Sequence, residues 1–261
     1  MVSSIKKQKI GEERLNKQGC LMKIIEYNNK LDIVVEFQDE YRAKVHTNYS
    51  AFNKNSVRNP YYPSVYGVGM IGNKYSMSKN SEDIKEYKLW HSVMLRCYDS
   101  KYSERYPTYK DVTCCKEWLL FENFYEWLHS QPNFEKWLNS SNHEWHLDKD
   151  ILVKNSKIYS PSTCCLVPQN VNLLFAKLKR TKELPVGVKP NKNRFQARCQ
   201  NPFTGNRDYL GSYSTKEQAF EAFKKYKEIL IKQVAEIEYS KGNITKQCYD
   251  AMMCYEVEID D

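Results

Sequence analysis

The residues best suited to nucleic-acid chemistry form a basic block near the carboxyl end of the chain. Residues 177–232 hold fourteen lysines and arginines against five acidic residues, whereas residues 233–261 hold two basic and seven acidic ones. Clustered cations neutralise phosphates and release the counterions condensed on nucleic acid, so the block predicts nucleic-acid binding. A solvated helix face rich in lysine is the competing interpretation.

Two shorter stretches upstream carry an acid, a histidine and amides. Residues 146–152 read His-Leu-Asp-Lys-Asp-Ile-Leu, and residues 163–172 end in Gln-Asn-Val-Asn. Together with the aromatic segment before them, they resemble the HNH, or ββα-metal, endonucleases of phages over roughly residues 85–180. The residues that carry this resemblance are Trp90, Met94, Arg96, Cys97, Tyr98, Tyr109, Val112, Trp118, Phe121, Phe124, Leu147, Asp148, Lys149, Tyr159, Ser160, Pro161 and Cys164.

The resemblance implies a metal-dependent site for phosphodiester hydrolysis. Asp148 matches the acid at the end of the first strand, and Asn172 matches the asparagine of the following helix, 24 residues later. The two would hold Mg²⁺ or another divalent cation against the scissile phosphate. The position of the general base falls on Lys149, and a lysine acts as a base only when its amine is neutral. His143 and His146 are the alternative bases.

A lysine at the base position also fits a scaffold that has lost catalysis and keeps Lys149 as a phosphate contact. Such a protein would occupy DNA or block a host defence protein without being an enzyme. Its acidic end and the Tyr61-Tyr62 connector would then be contact surfaces. The sequence leaves both functions open.

The last part of the chain resembles the DNA-binding domain of plant ethylene-response factors, which also occurs beside phage HNH nucleases. The matching residues are Gly187, Val188, Arg194, Ala197, Leu210, Gly211, Tyr213 and Ala219 through Tyr226, with Phe195 at a tryptophan position. Such domains lay a three-stranded sheet into the major groove of double-stranded DNA. The resemblance implies that Arg194, Arg198 and Arg207 contact guanine edges or phosphates, and that Lys189 and Lys192 contact phosphates.

Hydrophobic periodicity predicts an α+β fold of several modules that would position these residues. Period-two runs between Cys20 and Val45 predict a small antiparallel sheet, and helical spacing predicts amphipathic helices from Ser81 onward. The predicted modules are a loose leader (1–18), a small β domain with a Pro/Gly-rich connector (19–80), an HNH-like core (81–182), a basic module of three strands and a helix (183–240), and an acidic helix or tail (241–261).

Composition narrows the class of protein further. The 261 residues carry a net charge of +8, 41% hydrophobic residues and a mean hydropathy of -0.73, which exclude wholesale disorder and a membrane span. No apolar signal segment follows Met1, and the nine cysteines are odd in number and lack CxxC spacing, so we expect reduced thiols in an intracellular protein. The hypothesis is a phage or mobile-element DNA-binding protein of the host cytoplasm, of unknown oligomeric state.

Overall fold

The computed structural model describes residues 9–141, 143–176 and 184–259. It contains both helices and several small sheets, which confirms the predicted α+β class with more than one module. The chain folds into two compact units, residues 1–126 (unit 1) and residues 127–261 (unit 2). This division differs from the five predicted modules.

An antiparallel sheet occupies the first part of unit 1. Its four strands are hydrogen-bonded in chain order: β1 (Glu13–Leu15), β2 (Leu21–Asn29), β3 (Asp32–Phe37) and β4 (Lys44–Thr47). Met22 and Ile24 are fully buried because alternate side chains of β2 share one face. The predicted leader differs from the structure, since β1 lies within 1–18 and pairs with β2 from Glu13 to Leu15. Three exposed residues are too few to show the period-two pattern that marks a strand.

Short helices and turns complete unit 1. The predicted helix from Ser81 begins at Lys85, because residues 82–83 pair with residues 78–79 as a small hairpin. Trp90, Phe121 and Phe124 are buried, as the aromatic stripes predict. The elements are α1 (Tyr49–Asn53), β5 (Ser78–Lys79), β6 (Glu82–Asp83), α2 (Lys85–Tyr98), α3 (Ser100–Arg105), a 3-10 turn (Pro107–Tyr109), β7 (Thr113–Cys114), a second 3-10 turn (Glu117–Leu119) and α4 (Phe121–His129), which runs three residues into unit 2.

The predicted boundary near residue 80 falls inside unit 1. The Glu122 carboxylate accepts hydrogen bonds from the backbone N–H groups of Asn73 (2.7 Å) and Lys74 (2.6 Å). The Phe121 N–H donates to the Met70 carbonyl oxygen at 2.9 Å. The Pro/Gly-rich connector is therefore bound to the start of α4, so residues 19–80 and 81–126 fold as one unit.

Unit 2 begins with a ββα element and continues with a three-stranded sheet and two helices. Its elements are α5 (Phe134–Leu138), β8 (Trp145–Asp148), β9 (Ile158–Tyr159), β10 (Cys165–Pro168), α6 (Gln169–Phe175), β11 (Val188–Asn191), β12 (Arg194–Gln200), β13 (Arg207–Tyr213), α7 (Lys216–Ser240) and α8 (Lys246–Met253). Thr215 caps the start of α7 by accepting a hydrogen bond from the Gln218 N–H, as expected for a helix beginning near Ser214.

One hydrophobic core joins β10 and α6 to the three-stranded sheet, α7 and α8. Val167 and Val171 of the ββα element belong to the same buried cluster as Ala197 and Phe223 of the sheet and helix. The predicted boundary at 182/183 therefore lies within one unit. The segment predicted as an acidic helix or tail, 241–261, contains helix α8, whose Cys248 and Met252 are fully buried in this core.

The hydropathy of the helices tests whether any of them could span a membrane. Within the described residues, no helix combines the length and apolar character needed to cross a bilayer.

Candidate nucleic-acid interface and ββα element

Residues 145–175 adopt the strand–strand–helix order that the HNH resemblance implies. β8 pairs antiparallel with β10, with Asp148 opposite Cys165 and His146 opposite Val167. α6 starts directly after β10, and Pro168, with its fixed φ, occupies the position before its first residue. Buried Val167 and Val171 hold the hairpin and helix against the unit 2 core.

Asp148 holds the backbone turn that follows β8. Its Oδ1 accepts hydrogen bonds from the N–H groups of Asp150 (2.7 Å) and Ile151 (2.9 Å). Burial raises the pKa of Asp148 above its ordinary value, and the nearby Asp150 carboxylate also raises it, against the opposing effect of the two N–H donors. The net effect is a pKa above that of an exposed aspartate.

Lys149 is bound to its own neighbours. Its Nζ lies 2.8 and 2.9 Å from the two carboxylate oxygens of Asp150 and donates to the Ser156 carbonyl oxygen at 2.6 Å. The side chain is only 12% exposed. In these contacts the Lys149 side chain donates hydrogen bonds through its N–H groups. A general base instead needs a lone pair directed at a proton of water or of the substrate.

The other predicted site residues lie on this ββα element or in the turn before it. His146 lies within β8 and its Nε2 is buried, while His143 is exposed in the preceding turn. Asn172 is half-buried on α6, and no hydrogen bond among the described residues joins it to Asp148. The helix asparagine that makes a long-range contact is instead Asn170, whose Nδ2 donates to Glu238 Oε1 at 3.0 Å.

The donor set around Asp148 does not fit a resident divalent cation. Mg²⁺ requires a near-octahedral set of oxygens that includes ionised carboxylates. The Asp148 Oδ1 already accepts two N–H groups, and Asp150 is paired with Lys149. Within residues 9–141, 143–176 and 184–259, no three histidine, cysteine or acidic side chains are grouped to hold a metal ion.

The three-stranded sheet of β11, β12 and β13 has two chemically different faces. Its inner face packs on α7 through buried residues such as Ala197 and Cys199. Alternation along β12 turns the residues between them to the opposite side. The strand register then defines the outer face of the sheet as Lys189, Asn191, Arg194, Gln196, Arg198, Gln200, Arg207, Tyr209 and Ser212.

All five predicted DNA contacts are exposed at this sheet. The outer face carries four of them: Lys189, Arg194, Arg198 and Arg207. The fifth, Lys192, lies in the turn between β11 and β12. The structure therefore brings together residues that are up to 18 positions apart in the chain.

Two of these arginines are held by neighbours on the same face. Arg194 donates from Nη2 to the Ser212 carbonyl oxygen (2.7 Å) and from Nε to Ser212 Oγ (3.2 Å). The Arg198 guanidinium lies over the Tyr209 ring at 5.7 Å from its centroid. Such contacts reduce the rotamer entropy that these side chains would lose on binding a ligand.

The only acidic residue within β11, β12 and β13 is turned away from the outer face. Asp208 lies opposite buried Cys199 in the register and accepts a hydrogen bond from the Tyr226 hydroxyl of α7 at 2.5 Å. That bond, helped by Asn201, holds the pKa of Asp208 below its ordinary value. The negative charge is thus kept on the helix side of the sheet.

The sequence interpretation did not include the polar residues between the arginines. Gln196 and Gln200 lie beside Arg198 on β12, and Tyr209, 55% exposed, lies opposite it on β13. Period-two alternation around Ala197 was the signal that could have assigned them to the same face. Four basic residues of the predicted block, Lys177, Lys179, Arg180 and Lys182, lie outside the described residues.

Comparison with known proteins adds no family assignment: no family model matches the chain, and no similar curated protein or solved structure was found.

Proposed function

We propose that the protein binds double-stranded DNA through the outer face of the β11–β13 sheet and the Lys192 turn, and that it does so without cutting the DNA. The observation that carries this proposal is the display of four cationic side chains on the outer face of a sheet whose other face is buried on α7, with a fifth, Lys192, in the adjoining turn. The two resemblances in the sequence point to the same class of ligand.

The dimensions of the sheet suit the major groove. Strands are spaced about 4.8 Å apart, so three strands span roughly 10 Å between the outer backbones, and the groove is about 12 Å wide. Arginine forks are the commonest readers of guanine edges, and glutamine pairs with adenine. The outer face offers both, in Arg198 and Gln200, next to phosphate-binding Lys189 and Lys192.

The charge distribution supports the same surface. In the described part of the basic block, residues 184–232, ten basic residues stand against four acidic ones. Of those acids, Asp208 is bound to Tyr226 and Glu228 accepts the Val257 N–H at 2.9 Å. Phosphates approaching the outer face therefore meet cations that are not neutralised within the sheet.

Binding without cleavage rests on the roles of Asp148 and Lys149. Both residues already stabilise the turn after β8, so the ββα element acts as a scaffold joined to the sheet through the unit 2 core. The alternative non-enzymatic function, a complex with a host defence protein, does not require affinity for duplex DNA.

The test is the change in duplex affinity when cations of this surface are replaced. The first variant changes four of these residues together to Gln: Lys189, Lys192, Arg198 and Arg207. Arg194 is kept because it is hydrogen-bonded to Ser212. Fluorescence anisotropy with a labelled duplex should show weaker binding, and the slope of log K against log salt should fall by about one for each residue that contacts a phosphate.

A matched control removes the same charge elsewhere. The control variant changes four exposed lysines of unit 1 together to Gln: Lys30, Lys54, Lys79 and Lys88. The slope of log K against log salt should then stay nearly unchanged. Equal losses in the two variants would mean that only net charge matters and would contradict the proposal. Absence of duplex binding by the unaltered protein would favour the interaction-protein alternative.

A further inference from the structure

Unit 1 carries a second aromatic and basic surface around α3. Three tyrosines, Tyr102, Tyr106 and Tyr109, contact one another there, with ring centroids 4.7 Å apart for Tyr102–Tyr106 and 5.4 Å for Tyr102–Tyr109. Neither α3 nor the following 3-10 turn contains a buried residue, and Tyr106 is 40% exposed. We call these three rings the tyrosine cluster. Aromatic residues usually stabilise a core, so a cluster of them at the surface needs another explanation.

Cations surround the tyrosine cluster. The Arg105 guanidinium lies 5.4 Å from the Tyr106 ring centroid, and the Arg96 guanidinium lies 5.9 Å from that of Tyr109. Lys101 and Lys110 are exposed in the same segment. From Arg96 to Lys110, the chain has four basic and two acidic residues.

The backbone holds the cluster in place without a ligand. Asp99 accepts the Tyr102 N–H at 2.7 Å and caps α3, so one of the two acids is already engaged. The Tyr106 N–H donates to the Tyr102 carbonyl oxygen at 2.9 Å, and the Tyr109 N–H donates to that of Tyr106 at 3.0 Å. A partner would therefore meet rings whose backbone is already ordered, which lowers the entropy cost of binding.

We propose that the tyrosine cluster, with Arg96, Lys101 and Arg105, is a binding surface for single-stranded DNA. Unpaired bases stack on exposed aromatic rings whatever their sequence, while flanking cations contact the backbone phosphates. Lysine is depleted at protein–protein interfaces, and the exposed Lys101 and Lys110 flank this cluster. The surface lies in unit 1, so it is separate from the duplex-binding sheet of unit 2 and does not depend on it.

The experiment measures binding of a fluorescein-labelled oligothymidine of about twenty nucleotides, longer than the site of a typical stacking surface. The full chain is compared with Tyr102→Ala/Tyr106→Ala and with Tyr102→Phe/Tyr106→Phe. Because one stacked base contributes a factor of about 5 to 150, the alanine variant should bind at least about 10-fold more weakly. The phenylalanine variant keeps both ring faces and should bind like the unaltered protein. Neither position is buried, and circular dichroism confirms that each variant is folded.

Two further measurements locate the bound strand. The fourfold sheet variant Lys189→Gln/Lys192→Gln/Arg198→Gln/Arg207→Gln should keep its affinity for oligothymidine, because it leaves unit 1 unchanged. Photocrosslinking of the unaltered protein to an oligonucleotide containing 5-iodouracil should label a peptide within residues 96–110.

The proposal is overturned if oligothymidine does not bind, or if the alanine variant binds it as well as the unaltered protein does. It is also overturned if only the sheet variant loses affinity, since the single strand would then occupy the outer face in unit 2. Crosslinking only to residues outside 96–110 would also overturn the proposal. Loss of duplex binding alone leaves this surface intact and counts against the proposed function instead.

Discussion

Asp148 and Lys149 lie at the positions that match the nuclease motif, but their side chains make contacts that stabilise the backbone around them. In the resembling motif, the acid binds a metal ion and the next residue activates water. In this protein, Asp148 caps a turn, and Lys149 bridges Asp150 and the Ser156 carbonyl oxygen. Both contacts stabilise the loop that connects β8 to β10.

At the residue scale, we predict that supercoiled plasmid stays intact with the unaltered protein in Mg²⁺ or Mn²⁺. Lys149→His restores a side chain that can act as a base near neutral pH, yet it should also leave the plasmid intact. The reason is that Asp148 Oδ1 still accepts the Asp150 and Ile151 N–H groups, so this oxygen is already engaged. Gel electrophoresis of relaxed and linear products is the measurement.

The control for that prediction is Asp148→Ala in the same background. Nicking by Lys149→His that disappears in the Lys149→His/Asp148→Ala variant would show a competent metal site lacking only its base. Nicking by the unaltered protein that survives Lys149→Ala would point to His143 or His146 as the base. Either result would contradict binding without cleavage.

At the scale of elements, the β11–β13 sheet and α7 pack closely against each other. Gly187, just before β11, has φ +75° and lies so near Phe223 of α7 that an added Cβ would be 2.1 Å from the ring. Only a residue without a side chain fits between strand and helix there. The outer face can display cations because the inner face is fixed in this way.

Gly187→Ala is therefore predicted to destabilise unit 2 by about 2–4 kcal/mol, through overpacking and backbone strain. Gly205→Ala is the matched control, since Gly205 has a similar φ of +71° but nothing within 4 Å of an added Cβ. It should cost only about 1 kcal/mol, from the left-handed backbone alone. Urea unfolding monitored by circular dichroism measures both, and equal losses would mean that the Phe223 contact is unimportant.

At the scale of the whole molecule, the chain combines two units with different candidate surfaces. Unit 1 holds the antiparallel sheet and the tyrosine cluster, and unit 2 holds the ββα element, the β11–β13 sheet and α8. Within unit 2, the buried cluster runs from Ile151 to Val257, so the nuclease-like and DNA-binding-like segments share one core.

Truncation tests this arrangement. A fragment of residues 127–261 should fold cooperatively and keep its duplex affinity, because it contains the whole cluster. A fragment of residues 183–261 should fail to fold cooperatively, since it lacks Ile151, Val167, Val171 and Leu174. Thermal denaturation and anisotropy provide the two readouts. A cooperative transition in the shorter fragment would show that the basic module is independent, as the sequence predicts.

Local patterns in the sequence were sufficient to predict most elements. Period-two runs predicted the sheet of β2, β3 and β4, and helical spacing predicted α2 and α7, because each pattern depends on neighbours a few residues apart. The sequence also predicted the strand that carries Arg194 and Arg198. Strand β1 was missed, because three exposed residues next to a turn carry no periodic signal.

Only the tertiary structure decided the units and the roles at the ββα element. Residues 151 and 257 share a core through contacts made across more than a hundred positions, and no local pattern records such contacts. The sequence places Asp148 beside Lys149 and 24 residues before Asn172, but hydrogen bonds and burial depend on where the backbone turns. The sequence by itself determined which residues carry charge and which faces are apolar, while folding determined which of those residues remain available to a ligand.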